Sequence, residues 1–412
     1  MGIPADDKTR PEPGSCQRAG TCCHSRSNRE EVKTQARSKK QGRRCHLSIE
    51  PHSSFEGVTE YGNGPHWYRH QLLGRDIRVA FKEVAHEEAY HDATQVVIQD
   101  QEEAGLDIIT DGQMSYDDYV GVIGSFCWYM YERIGGFQHA KEPHPSEIGA
   151  AVRTKEVELL SDWGGVVNDA PVTRGPIRLA ELYKIATKYA SKPLKVSVGA
   201  GPVNLAWHVY NKHYKDAREL SLALAPIFNA EMKDLVAAGA RYLQIEDLGA
   251  WLPLFTTNDD DYKWIAEVIT RCVDGVKAKI AWHFCFGNAW GNALSGIFPK
   301  GYETVLPRFY DVPVEQYVLD YANREMADIE ALKSLPKDKE VQIGVLDIRT
   351  MMIETPEQVA ARIRKVIRVV PPDRVYLSTD CGMKPLPRMV AKMKLKALVE
   401  GARIVRKELG SR

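Results

Sequence analysis

Short apolar runs alternate with longer stretches of three-to-four-residue apolar spacing along most of this chain. The runs lie at residues 57–61, 106–110, 194–198, 242–245, 280–283, 316–319, 341–346 and 375–378. Their length and their β-branched and aromatic content predict buried strands. The stretches between them predict helices. One over 222–239 ends in Gly239, since glycine is favoured just past a helix C-terminus. Another opens with Thr355 as cap and Pro356 at the first helical position. A last amphipathic helix covers 389–409. Eight strands alternating with helices imply a parallel sheet, and at this length they favour a closed (β/α)8 barrel over an open doubly wound sheet. Residues 120–193 are too long for one strand–helix unit. They predict an insertion after the second strand: a helix, a Gly-, Pro- and charge-rich excursion over 135–152, and a hairpin near Pro171-Val172-Thr173-Arg174. Such an insertion reads as a lid over the barrel mouth.

Residues 1–50 break this pattern. They are polar, basic and nearly free of large apolar side chains, so they cannot bury enough surface to offset their ordering entropy. A disordered extension over 1–50 followed by one folded domain over 51–412 is the expectation. The extension carries Cys16, Cys22, Cys23, His24, Cys45 and His46, without the recurring pair spacing of a zinc finger. The whole chain has 55 basic and 55 acidic residues, a balance that gives no electrostatic footprint for nucleic acid or a membrane surface. With no apolar run of membrane-spanning length and no apolar signal core, the cytoplasm is the default. Clustered cysteines there are ligands or nucleophiles before they are disulfides.

Chemistry in a parallel barrel gathers at the carboxyl ends of the strands. The fifth strand ends in His283-Phe284-Cys285, whose alternate positions place an imidazole and a thiol on one face. The eighth ends in Asp380-Cys381-Gly382, the sixth in Asp320, and the fourth in Glu246-Asp247. One histidine and two thiolates suit zinc, and Asp320 is the candidate fourth ligand. Zinc lowers the pKa of a bound thiol and so makes a nucleophile at neutral pH. The plain alternative is that Cys285 and Cys381 are small buried hydrophobes. Glu246 and Asp247 suit an ammonium, a protonated pterin or a proton shuttle, or else an ion pair at the mouth. Trp207 suits a stacked flat ring or a place in the core. Gln113 follows Asp111-Gly112 at the second strand end, and Asn63 orients a ligand or makes a turn.

Taken together, these residues resemble the cobalamin-independent methionine synthase family. Gly199-Ala-Gly-Pro-Val-Asn-Leu-Ala-Trp207 and, one helix later, Tyr242-Leu-Gln-Ile-Glu-Asp247 resemble its GPV…LxW turn and IQIDEP strand. His283-x-Cys285 resembles its HxC zinc motif, and Asp380-Cys381-Gly382-Met-Lys384 its DCGLK motif. Residues 105–112 and 344–348 resemble its GLD…GE and GVxDI segments. The likeness runs in one order over about 57–409 and covers only the catalytic, C-terminal barrel of the long family enzymes. It implies a zinc-dependent barrel that transfers a methyl group from a methyl-tetrahydrofolate-type donor to a thiol, with homocysteine the default acceptor. It also implies zinc ligation by His283, Cys285, Asp320 and Cys381, with Asp in place of the family's Glu, and a pterin against Trp207.

The departures keep a second reading open. Gln113 replaces a family glutamate and removes a charge-assisted partner for an ammonium. Glu246-Asp247 replaces Asp-Glu, Asn63 replaces a serine, and Arg349 stands where the family has a histidine and suits an anionic group. Asp380 and Arg349 are the candidate catalytic side chains. The alternative is alkyl transfer to a different thiol, as in epoxyalkane:coenzyme M transferases. A zinc-binding barrel that no longer catalyses is a third reading, and the intact His283, Cys285 and Cys381 set argues against it. On both enzymatic readings the partners are small molecules, a thiol and a folate-like or other alkyl donor.

Overall fold

Seven strands form one parallel sheet. In chain order they are β1 (Ser48–Ile49), β4 (Val196–Ala200), β6 (Tyr242–Glu246), β7 (Lys279–Phe284), β10 (Gln316–Asp320), β11 (Glu340–Leu346) and β12 (Val375–Thr379), and their spatial order is β1-β12-β11-β10-β7-β6-β4. The computed structural model describes residues 48–49, 84–116, 125–139, 166–256, 258–286, 288–289, 292–293, 301–384 and 386–410, all within the unit Arg44–Arg412. Every residue of β4, β6 and β10 is buried. That is why these strands read as unbroken apolar runs rather than as alternating ones. Beyond β4, Ile109 forms a parallel bridge with Leu194. Six of the expected runs are therefore strands of this sheet, and residues 106–110 contribute the bridge at its edge. The expected run at 57–61 lies outside the described residues. The strand that pairs with β12 is instead Ser48–Ile49, in register with Tyr376 and Leu377, inside the segment expected to be an extension.

The insertion contributes a separate small sheet. Strands β2 (Gly135–His139) and β3 (Val166–Thr173) pair antiparallel, and β3 pairs parallel with β5 (Tyr210–Asn211). The hairpin expected near Pro171 is corrected here, because Pro171 to Thr173 complete β3. The register shifts between Gly135 and Phe137 opposite this stretch. Pro171 lacks an N–H, so an irregular ladder is where it fits. A two-stranded ribbon, β8 (Asn288–Ala289) with β9 (Asn292–Ala293), follows β7.

The helices pack outside the sheet: α1 (Val84–Ala104), α2 (Ser125–Tyr131), α3 (Leu179–Ala186), α4 (Pro202–Trp207), α5 (Ala217–Ala237), α6 (Asp260–Val273), α7 (Pro356–Ile367) and α8 (Arg388–Gly410). Local sequence sets their ends. The Asp216 side chain accepts from Glu219 N to start α5 five residues before its expected start, and Gly239 takes a left-handed φ of 111° just after the helix. Thr355 and Gln358 form a reciprocal capping box at α7. Among the described residues no helix is long and apolar enough to cross a membrane.

Side-chain contacts show that the sheet curls. Lys195 Nζ donates to Gln342 Oε1, yet β4 and β11 are four places apart in the sheet. A flat sheet would separate them by about 19 Å, beyond the reach of the two side chains. The two ends of the ladder also carry helices that meet. Asp100 of α1, 1 % exposed, accepts from Arg388 Nε (2.6 Å) and Lys392 Nζ (2.8 Å) of α8. Burial disfavours the charged form of Asp100, but the two cations outweigh it and hold the carboxyl below its usual range.

Replacing Asp100 by Asn should therefore destabilise the protein by about 1–3 kcal/mol at pH 7. The folded carboxyl has the lower pKa. Its stabilisation is thus complete above the unfolded value of about 3.9 and is lost as pH falls through the folded value. Urea unfolding at pH 7 and at pH 3 checks this: the gap between wild type and Asp100→Asn narrows at pH 3, and a gap that is constant or widens contradicts it.

Candidate active site

Two strands of the parallel sheet, β7 and β12, bring two sulfurs together. Cys285 lies one residue past the end of β7 and is buried; Cys381 lies two past β12 and is half-buried. Their Sγ atoms are 3.9 Å apart. A disulfide would need about 2.05 Å. Two thiolates on one tetrahedral ion, each at about 2.3 Å, stand about 3.8 Å apart. The pair thus has the spacing of shared metal ligands.

The other two expected ligands have different immediate partners. His283 Nδ1 lies 2.5 Å from Glu246 Oε2, its register neighbour on β6. Asp320 Oδ1 accepts from the Tyr302 hydroxyl and from Phe286 N at 3.3 Å, and its Oδ2 accepts from Asn323 Nδ2 at 2.6 Å. Among the described residues no three His, Cys, Asp or Glu side chains converge as a metal cluster. The cysteine pair fits zinc, as does an imidazole fixed by a carboxylate. The Asp320 carboxylate is shared among protein donors.

Several residues expected to face a ligand instead hold the backbone. The Asp247 carboxylate accepts from Val203 N (2.9 Å), Asn204 N (3.0 Å) and Gly249 N (2.8 Å). It therefore pins the N-terminus of α4 and the turn after β6. Burial pushes its carboxyl up to about 7, against the pull of these three donors. A side chain at Gly201 would collide with it, so that glycine is needed for the approach. Asp380 accepts from the backbone N–H groups of Tyr321 (3.0 Å), Ala322 (2.8 Å) and Asn323, the turn after β10. Burial and the nearby Asp320 raise its pKa well above the carboxylate range. At Gly344 an added Cβ would come within 2.6 Å of the Asp380 Cα. Arg349 spans Asp347 with two hydrogen bonds, Nε to Oδ1 at 2.9 Å and Nη2 to Oδ2 at 2.8 Å, and donates to Asn323 O at 2.6 Å. It ties the turns after β10 and β11 together, where an anion-binding or catalytic arginine was expected. Trp207 is 4 % exposed and packs in the hydrophobic core at the end of α4, rather than offering an open platform.

Gln113 is different. It is 2 % exposed, with a left-handed φ of 51°. Among the described residues, neither side-chain polar atom has a hydrogen-bond partner. A buried amide in strained backbone is a mark of a ligand site. Asn63 lies outside the described residues. Three participants escaped the sequence reading. Tyr302 and Asn323 hold Asp320, and Gln244 Nε2 donates to Glu246 Oε1 at 2.8 Å. Only the period-two spacing of 244 and 246 marked the last of these.

Comparison with known proteins places this geometry. The sequence profile described as cobalamin-independent synthase, catalytic domain, matches residues 70–404. The chain belongs to that family. Among the family's curated members, the methionine synthase of Saccharolobus solfataricus is 30 % identical over 350 residues, covering 84 % of this chain and 92 % of that protein. The methionine synthase of Thermococcus kodakarensis is 31 % identical over 353 residues, covering 84 % and 91 %. A B12-independent methionine synthase from Shewanella, solved with selenomethionine, superposes with a TM-score of 0.69 at 26 % identity, covering 89 % of this chain and 98 % of that one. The α/β fold with its parallel sheet is thus that of the B12-independent synthases.

If Asp247 is a clamp, Asp247→Ala leaves three buried N–H groups without their acceptor. The cost should be at least about 2 kcal/mol, read as a lowered urea midpoint at pH 7. An unchanged midpoint contradicts the clamp.

Proposed function

We propose that this protein transfers a methyl group to the sulfur of homocysteine, with a methyl-tetrahydrofolate-type donor and a zinc ion. The observation that carries the reading is the Cys285–Cys381 pair, 3.9 Å apart at two strand ends, in a chain of the cobalamin-independent synthase family. His283, Cys285 and Cys381 would hold the ion, and Asp320 is the candidate fourth ligand. Zinc bound there supplies acidity to an acceptor thiol, so that its sulfur is a nucleophile at neutral pH. The transfer forms a bond from that sulfur to the methyl carbon and breaks the bond from methyl to donor. Burial of Cys285 and its aromatic neighbour Phe286 keeps competing water from the sulfur.

Gln113 is the proposed substrate contact: its buried amide offers one donor and one acceptor edge to a polar group of the acceptor. The curled sheet, with Ile109 at one edge and Ser48–Ile49 at the other, supports closure into a (β/α)8 barrel. The β2–β3–β5 sheet supports the lid, because β5 follows α4, the first helix after the carboxyl end of β4. Methionine synthases aligned over 84 % of this chain support homocysteine over another thiol acceptor. So does the selenomethionine, an analogue of the methylated product, in the Shewanella structure.

Metal analysis and a methyl-transfer assay test the reading together. Wild-type protein should carry about one zinc per chain and form methionine from homocysteine and methyl-tetrahydrofolate. Cys381→Ala, which removes one of two thiolates, should lose most of the zinc and at least about 1000-fold of the activity. Zinc-free wild-type protein, or unchanged zinc in Cys381→Ala, overturns it.

A further inference from the structure

Glu246 was expected to hold a ligand. The structure gives both of its carboxylate oxygens to protein partners. Oε2 lies 2.5 Å from His283 Nδ1, and Oε1 accepts from Gln244 Nε2 at 2.8 Å. Glu246 and His283 are each 4 % exposed, and Gln244 is fully buried. The arrangement follows from strand geometry. Residues 244 and 246 leave the same face of β6, and Glu246 stands in direct register with His283 on β7. Asp247, the next residue along, turns to the other face and is taken up by backbone N–H groups. Gln244, Glu246 and His283 thus form a hydrogen-bonded row across two adjacent strands, at the end where β7 runs on into Cys285.

We propose that Glu246 is a positioning residue for His283, not a contact for the acceptor, and that Gln244 holds Glu246 in that role. This rests on the zinc reading above. A carboxylate accepting at Nδ1 fixes the proton there. It makes Nε2 the nitrogen with the lone pair, and it sets the plane of the ring. Two rotatable histidine torsions are then fixed before any ligand arrives. The row also restricts the acceptor site: its glutamate is committed to the imidazole, and Asp247 is committed to the turn. Of the polar acceptor contacts expected among the described residues, Gln113, Glu246 and Asp247, this leaves the Gln113 amide to read the acceptor.

Glu246→Gln, Gln244→Leu and wild type decide between the two roles. The probes are zinc and cobalt(II), with homocysteine varied at saturating metal. The positioning role predicts a 10–100-fold loss of zinc affinity in Glu246→Gln by chelator competition. It also predicts a shifted cobalt(II) visible spectrum and a KM for homocysteine within about 3-fold of wild type. Gln244→Leu should weaken zinc in the same direction. In metal-free protein, nitrogen NMR should find His283 as the Nδ1–H tautomer in wild type and as a tautomer mixture in Glu246→Gln. A zinc affinity and cobalt spectrum unchanged in Glu246→Gln, with KM raised tenfold or more, would overturn the proposal and return Glu246 to the acceptor. Wild type that binds no zinc overturns it along with the zinc reading, an outcome distinct from the previous one.

Discussion

The strand ends of this fold are held by buried carboxylates that take backbone N–H groups, and the rest of the site depends on that constraint. A parallel strand leaves its last peptide groups unpaired, and they must find partners inside the protein. Asp380, at the end of β12, supplies them for the turn after β10. Asp247, at the end of β6, supplies them for α4, the helix that follows β4. The Asp380 bonds reach across β11 to the turn after β10, and the Asp247 bonds tie β6 to the helix after its sheet neighbour β4. Together with Lys195 and Gln342 inside the curl, they fix where each strand stops. Cys381 follows Asp380 directly, so the carboxylate that holds the β10 turn also fixes one of the two sulfurs.

This explains a division of labour among the acidic residues. Carboxylates at strand ends look alike in a sequence, yet here they do three jobs. Asp247 and Asp380 hold backbone. Glu246 holds an imidazole. Asp320 sits between Tyr302, Asn323 and the Phe286 amide. Glycines decide part of it, since Gly201 and Gly344 leave space that any side chain would fill. Arg349 follows the same logic: its guanidinium joins two turns through Asp347 and Asn323 O.

Much of the fold was legible because parallel strands are buried on both faces and therefore apolar throughout. The runs at 242–245, 280–283, 316–319 and 375–378 fall inside β6, β7, β10 and β12 with edges off by at most two residues. The capped start of α7 was legible because Thr355-Pro356 acts locally. Strand β1 was not, since two residues carry no periodicity and its pairing with β12 is fixed by the distant end of the chain. The β2–β3–β5 sheet was missed for the same reason: Val167 finds Tyr210 across 43 residues. In the site, the cysteine pair was legible because thiols at two strand ends have few other uses. The partners of Asp247, Asp380 and Arg349 were not, because a backbone N–H leaves no mark in the sequence.

The central claim is that Cys285 and Cys381 share one zinc ion, and X-ray absorption at the zinc edge of the purified full-length protein tests it most directly. The account predicts two sulfur scatterers at about 2.3 Å, with nitrogen or oxygen completing four-coordination. A zinc shell without sulfur, or a single sulfur scatterer retained in both Cys285→Ser and Cys381→Ser, would contradict it.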